Sequence, residues 1–296
     1  MWAILGAMTR GGSVRSAPKL LPRPKDRRTL NRALQVSPIC LGAVSDPHAI
    51  SHAFDMGINF FFVTADMHWP IYEQSRRGLA DLFRRSPSVR DQVVVAVVAY
   101  VTQPEFCHMP FEEVIGVVPG LKHIDVTVAG GSYKSDFAAR KEQFALHGPL
   151  GARAFGVSFH DRKMAGKAFK EKLVDIGFIR YNASHLGAEK DVFPHLPPRR
   201  RSLLYNFTST QGFVPPERYP DFGLSPEYWQ PTITDYYRFV LARPELDGIL
   251  CAPRTPAELD ALDRALAEGP LTEEERIYIR DLADLTAGKA TLATGA

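Results

Sequence analysis

The residue types that could carry chemistry gather at the ends of apolar runs. The run INFFFVTA (58–65) stops at Asp66 and His68, and Trp69, Tyr72 and Glu73 open the stretch that follows. Four later runs end in the same way. One stops at Tyr100, one at His160 and Arg162, one at Arg180, Asn182 and His185, and one at Thr208 and Ser209. A carboxylate, imidazoles and phenols at strand ends are the groups general acid–base catalysis needs, and histidine titrates near neutral pH. Asp66, His68 and His160 are therefore the candidate base, acid and orienting group. Trp69, Tyr72, Tyr100, Asn182 and His185 are candidate substrate contacts, with Arg162 or Arg180 to hold an anionic substrate. Asp66, His68, His160 and His185 also offer nitrogen and oxygen ligands for zinc or iron, without an HxxxH or HExxH pair to fix the geometry. A non-catalytic binding surface is the third reading.

The elements that would position these groups follow from periodicity. Eight short apolar or β-branched runs fall at 38–43, 58–65, 92–100, 123–130, 152–159, 175–182, 202–207 and 247–252. Helical stretches separate them, and a last helix starts at the acidic 272–275, where the helix dipole favours negative charge. Eight strand–helix units in series predict a single closed (β/α)8 barrel with its site at the carboxyl ends of the strands. No Gly-x-Gly-x-x-Gly follows the first strand, which argues against an open dinucleotide-binding sheet. Residues 1–35 read as a basic N-terminal extension and 36–296 as the barrel. The stretch 208–230, rich in Pro, Gly and aromatics, reads as a lid or binding loop.

Bulk properties bound the function class. A net charge of +3 is too small to argue for nucleic acid, and the basic clusters at 10–28 and 199–201 read as solvated. The longest apolar run, 93–101, is too short to span a bilayer. Three widely spaced cysteines form no disulfide framework and fit a reducing cytoplasm. A soluble protein with a small-molecule ligand is expected.

Several segments together resemble the aldo-keto reductases. GINFFFVTAD is similar to the family's GxNFFDTAxxY, RDQVVVAV to the strand that ends in a lysine, and GARAFGVS to GKxRxxGVSN. ICLG, RYN and PLTEEE also have counterparts, and the likeness runs from about residue 36 to 286. The resemblance implies an oxidoreductase acting on a small carbonyl or alcohol with NADP(H). It places Ser158, Ser209 and Arg254 at the cofactor, with Arg254 beside a helix start where a phosphate would sit. It also implies a catalytic Asp/Tyr/Lys/His set, and that set does not carry over. The aspartate register falls on Val63 or Phe62, the tyrosine on His68, the lysine near Val98 and the histidine on Gly130. The expectation is a reductase-type barrel with a rebuilt site and weakened or absent nucleotide binding.

Overall fold

The computed structural model describes residues 20–31, 34–132, 137–147 and 152–289. A hairpin, β1 (Arg28–Leu30) and β2 (Leu34–Val36), precedes eight parallel strands. These are β3 (Ile39–Leu41), β4 (Phe60–Thr64), β5 (Val94–Ala99), β6 (Val126–Ser132), β7 (Ala154–Phe159), β8 (Ile176–Arg180), β9 (Leu203–Phe207) and β10 (Gly248–Cys251). They close in chain order, with β10 paired to β3. The helices between them are α1 (His48–Asp55), α2 (Glu73–Arg85), α3 (Met109–Val117), α4 (Phe137–His147), α5 (Arg162–Lys170), α6 (Ala188–Asp191), α7 (Ile233–Leu241) and α8 (Pro256–Ala267). A terminal helix, α9 (Glu273–Thr286), begins with a capping box between Thr272 and Glu275. The expected (β/α)8 barrel is the observed fold. Among the described residues no helix is long and apolar enough to cross a membrane.

Every barrel strand is buried on both faces, because side chains alternate between the barrel interior and the helical layer. Phe60, Phe62, Val98, Val128, Phe178 and Tyr205 belong to the interior set, whereas Phe61, Val63, Val97 and Phe159 pack under the helices. Phe62 meets Phe178 edge-on at 5.2 Å and Phe60 meets Tyr205 at 5.6 Å. Each such pair contributes about 0.5–1.5 kcal/mol beyond its buried area. Leu30, Leu34 and Val36 join the interior set, so the hairpin plugs the amino-terminal end. That hairpin lies almost wholly inside the stretch 1–35 assigned from sequence to an extension. Residues 1–19 of that stretch lie outside the described residues.

One device recurs at the amino-terminal end. Asn59, Asp125, Asp175 and Asp247 each stand immediately before an even-numbered strand. Each accepts the backbone N–H of the neighbouring strand or its approach: Ser37 (2.8 Å), Val95 (2.8 Å), Phe155 (2.9 Å) and Leu204 (2.7 Å), respectively. Asp125 is fully buried and also takes Arg90 (2.8 Å) and Arg153 (2.6 Å). Gly57, at φ +104°, makes the turn that brings Asn59 into place, and a Cβ there would meet Lys25 Cγ at 2.7 Å.

Candidate functional site

The carboxyl ends of the strands enclose a cleft of about 340 Å³. His68, Tyr72, Tyr100, Ser158, His160 and Ser209 line it, six of the residues singled out from sequence. Its floor is Phe62 and Leu250. Alternation explains the delivery. Phe62, Ser158 and His160 continue the inward positions of their strands, as Val98 and Gly130 do of theirs.

Gly130, on which the resemblance placed a histidine register, has no room for a side chain. A Cβ there would lie 2.7 Å from both Tyr100 Cε1 and Val98 Cγ2, so the Tyr100 ring occupies the space a larger side chain would need. His68 packs edge-on against Tyr100, with centroids 4.8 Å apart. Of the two aspartate registers, Val63 faces the helices and Phe62 faces the interior. The inward polar group at the top of β4 is Thr64, whose Oγ1 lies 2.8 Å from both Val98 O and Asp66 Oδ1. Asp66 Oδ2 accepts the Tyr100 N–H at 2.5 Å. Asp66 therefore ties β4 to β5 from outside the cleft lining, and Thr64 pairs with Val98, the lysine register.

Burial shifts four ionisable groups on the cleft: it lowers His160 and raises Tyr72, Tyr237 and Cys251. Burial, and secondarily the Arg180 charge, hold His160 below the ordinary histidine range, so its imidazole is neutral at pH 7. Burial, then Tyr100 and Cys40, push Tyr72 well above the ordinary phenol, so it stays protonated. A neutral base and a fixed donor thus face one space.

The remaining candidates have other positions. Trp69 lies under the Arg76 guanidinium, 3.3 Å from the ring centroid, and lines a separate surface groove. Arg162 is paired with Asp191 at 3.2 Å. Asn182 is fully buried and its Nδ2 donates to Thr208 O (2.9 Å), while its Oδ1 accepts Ser184 N–H (3.1 Å). It braces Thr208, a β-branched residue held at φ +58° in the cleft wall. Ser209 bonds Asn206 Nδ2 at 2.8 Å, and Asn206 Oδ1 also accepts the Tyr181 N–H at 2.6 Å. Arg180 and His185 stand beside the cleft, next to His160 and Phe207. Sequence reasoning missed Asn206, Phe207 and Tyr237. Tyr237 reaches the cleft from α7, and nothing in a single helical pattern marks one of its aromatics as site-facing. Beyond its first residues, the loop 208–230 is no lid: Val214, Tyr219 and Leu224 pack with Tyr278 and Leu282 of α9.

Arg254 is exposed, and its Nε lies 3.6 Å from Glu258 Oε1. Glu258 Oε2 accepts the Arg254 N–H at 2.8 Å, and the Glu258 N–H goes to Thr255 Oγ1 at 3.3 Å. The start of α8 therefore carries its own carboxylate where a phosphate would have to sit. At Arg254, then, the residues present fit a nucleotide phosphate poorly. A metal has no better support: among the described residues no three His, Cys, Asp or Glu side chains converge. Cys40, Cys107 and Cys251 are free and buried. Cys40 points into the barrel and Cys251 toward the helices, and burial raises both thiols, so they form no redox pair.

No family model and no curated protein matches the chain by sequence. Solved structures do match by shape. An aldo-keto reductase from Bacillus halodurans in its holo form superposes with a TM-score of 0.66 at 14% identity, covering 91% of this chain and 99% of that one. A Pseudomonas aeruginosa protein provisionally named an aldo-keto reductase gives a TM-score of 0.57 at 14% identity, over 84% and 98%. Together with the closed eight-stranded sheet, these place the chain among barrels of the aldo-keto reductase type in fold.

Proposed function

We propose that this aldo-keto reductase-type barrel binds a small carbonyl or alcohol compound in the rim cleft and moves a proton on it without a nucleotide. The observation that carries the reading is that an imidazole and a phenol, His160 and Tyr72, line one cleft at the carboxyl ends of the strands, where burial favours the neutral form of each. Groups with pKa values driven apart in a shared cleft are how a site assigns its base and its acid. His160 takes a proton from the carbon next to a carbonyl. The C–H electron pair moves into the C–C bond and the carbonyl pair onto oxygen, where the Tyr72 hydroxyl donates a hydrogen bond to the developing charge. Return of a proton to the same carbon gives exchange; where that carbon carries a hydroxyl, loss of the hydroxyl proton and protonation of the former carbonyl carbon and its oxygen give isomerisation. His68 and Tyr100 wall the other side.

Proton NMR in D2O of small ketones, aldehydes and 2-oxo acids tests this directly. Exchange at the carbon next to the carbonyl should exceed the buffer rate, and His160→Asn should lower it about 10²–10⁴-fold. Exchange no faster than buffer for every compound, or undiminished in His160→Asn, would sink the reading.

A second reading, an NADP(H)-dependent oxidoreductase, is favoured by the fold match to a holo-form reductase and by Ser158 on the cleft wall. It requires the phosphate end to bind in spite of Glu258. The buried free thiols fit a reducing compartment, and we place the protein in the cytoplasm on that ground.

A further inference from the structure

Arg180 is exceptional among the arginines. Among the described residues, the other buried and half-buried arginine side chains have a carboxylate or backbone-carbonyl partner: Arg90 with Asp125, Arg238 with Asp235, Arg200 with Asp247, Arg76 with Thr64 O, and Arg276 with Glu273 as a 3.9 Å ion pair. Arg180 has no such hydrogen bond or ion pair. Its Nε is sealed from solvent without an acceptor, against the Phe207 ring 5.9 Å away. Its Nη atoms also lack a protein acceptor, but they are not sealed. Arg90, Arg140, Arg243 and Arg276 share a sealed Nε; what sets Arg180 apart is that its Nη atoms have no protein acceptor either.

The neighbours define what that is. Arg180 ends β8 at an inward position, between His160 at the end of β7 and Phe207 at the end of β9. His185 follows on the next turn. Arg180 acts on both imidazoles, and Lys289 and Arg162 act on His185 as well. Arg162 and Lys289 have their own carboxylates, Asp191 at 3.2 Å and Asp284 at 3.6 Å. Among the described residues the Arg180 charge has no carboxylate partner, and it stands at the edge of the cleft.

We propose that Arg180 is the anchor for a carboxylate, so that the compound bound in the cleft is a small organic acid whose reacting carbon lies toward His160. One open charge matches a monoanion, and the two free Nη atoms match the planar fork of a carboxylate better than a phosphate dianion. This rests on the proton-transfer reading for its reacting carbon, and only on the geometry above for binding.

The test is the titration of His160 and His185 by NMR, assigned with His160→Asn and His185→Asn. Pyruvate, acetone and inorganic phosphate are the probes. Pyruvate should raise both midpoints saturably, because a bound anion cancels the Arg180 field, and acetone should leave them unchanged. Arg180→Gln should raise both midpoints without ligand and abolish the pyruvate effect. Arg180→Lys, which keeps the charge, should leave the midpoints low and weaken pyruvate binding. Pyruvate acting equally on Arg180→Gln, or having no effect on the wild-type protein, overturns the proposal, as does a response to phosphate alone. Pyruvate binding without proton exchange would refute the proton-transfer reading and leave the carboxylate site standing. Exchange on pyruvate that is undiminished in Arg180→Gln would do the reverse.

Discussion

The two ends of the barrel treat charge in opposite ways. At the amino-terminal end each ionised or amide group before an even-numbered strand is consumed. Asp125 alone accepts from Arg90, Arg153 and Val95 N–H, and Asn59, Asp175 and Asp247 repeat the backbone bond. At the carboxyl-terminal end Arg180 has no partner, His160 is held neutral, and Thr208 is kept in a left-handed conformation by Asn182. Saturated groups hold strands in register, whereas unsaturated ones are available to a ligand. The difference separates stability from function more sharply than residue type does, since arginine and acid occur at both ends.

The comparison can be broken most forcefully at Asp125. Asp125→Ala leaves Arg90 buried without its carboxylate and should lower the unfolding free energy by about 3–5 kcal/mol in denaturant titration. A loss as small as that of a surface change would mean the lower end is not held by this network. Next in size is Gly130→Ala. Its methyl group must displace Tyr100 or Val98, which should cost about 1–3 kcal/mol and disturb cleft binding as well. By contrast, Arg180→Met should leave stability within about 1 kcal/mol of the parent, because no protein bond is lost. A penalty like that of Asp125→Ala would show Arg180 to be structural.

The smallest effect is in pH. His160 and His185 both titrate lower in the folded protein than the ordinary value of 6.5, so below that value the unfolded chain binds protons the folded one does not. Their contribution is complete above about pH 6.5 and is lost as pH falls through the folded values. Arg180→Gln should flatten this acid-side loss, as read by unfolding at two pH values. An unchanged slope would mean the Arg180 field does not reach the imidazoles.

The sequence made the barrel legible for a physical reason. Strands buried on both faces read as unbroken apolar runs, and all eight such runs became strands. The hairpin 28–36 escaped because two three-residue strands among basic residues carry no such run. The lower-end device was written in the chain as Ile58-Asn59, Ile124-Asp125, Val174-Asp175 and Leu246-Asp247, but its spacing is uneven and only the sheet shows its purpose. At the rim, Asp66, Arg162 and Arg180 all follow strands and looked alike. Asp191 reaches Arg162 from a different helix, and Tyr100 N–H claims Asp66 from a different strand. Partnerships of that range are not visible in one sequence, which is why residue type found the rim but could not rank its members.

The central claim is that the rim site works without the nucleotide the fold implies. NADPH fluorescence titrated with the full-length protein measures this most directly. No saturable quenching or enhancement at millimolar protein is the predicted result. Saturable binding that Arg254→Ala abolishes would contradict it.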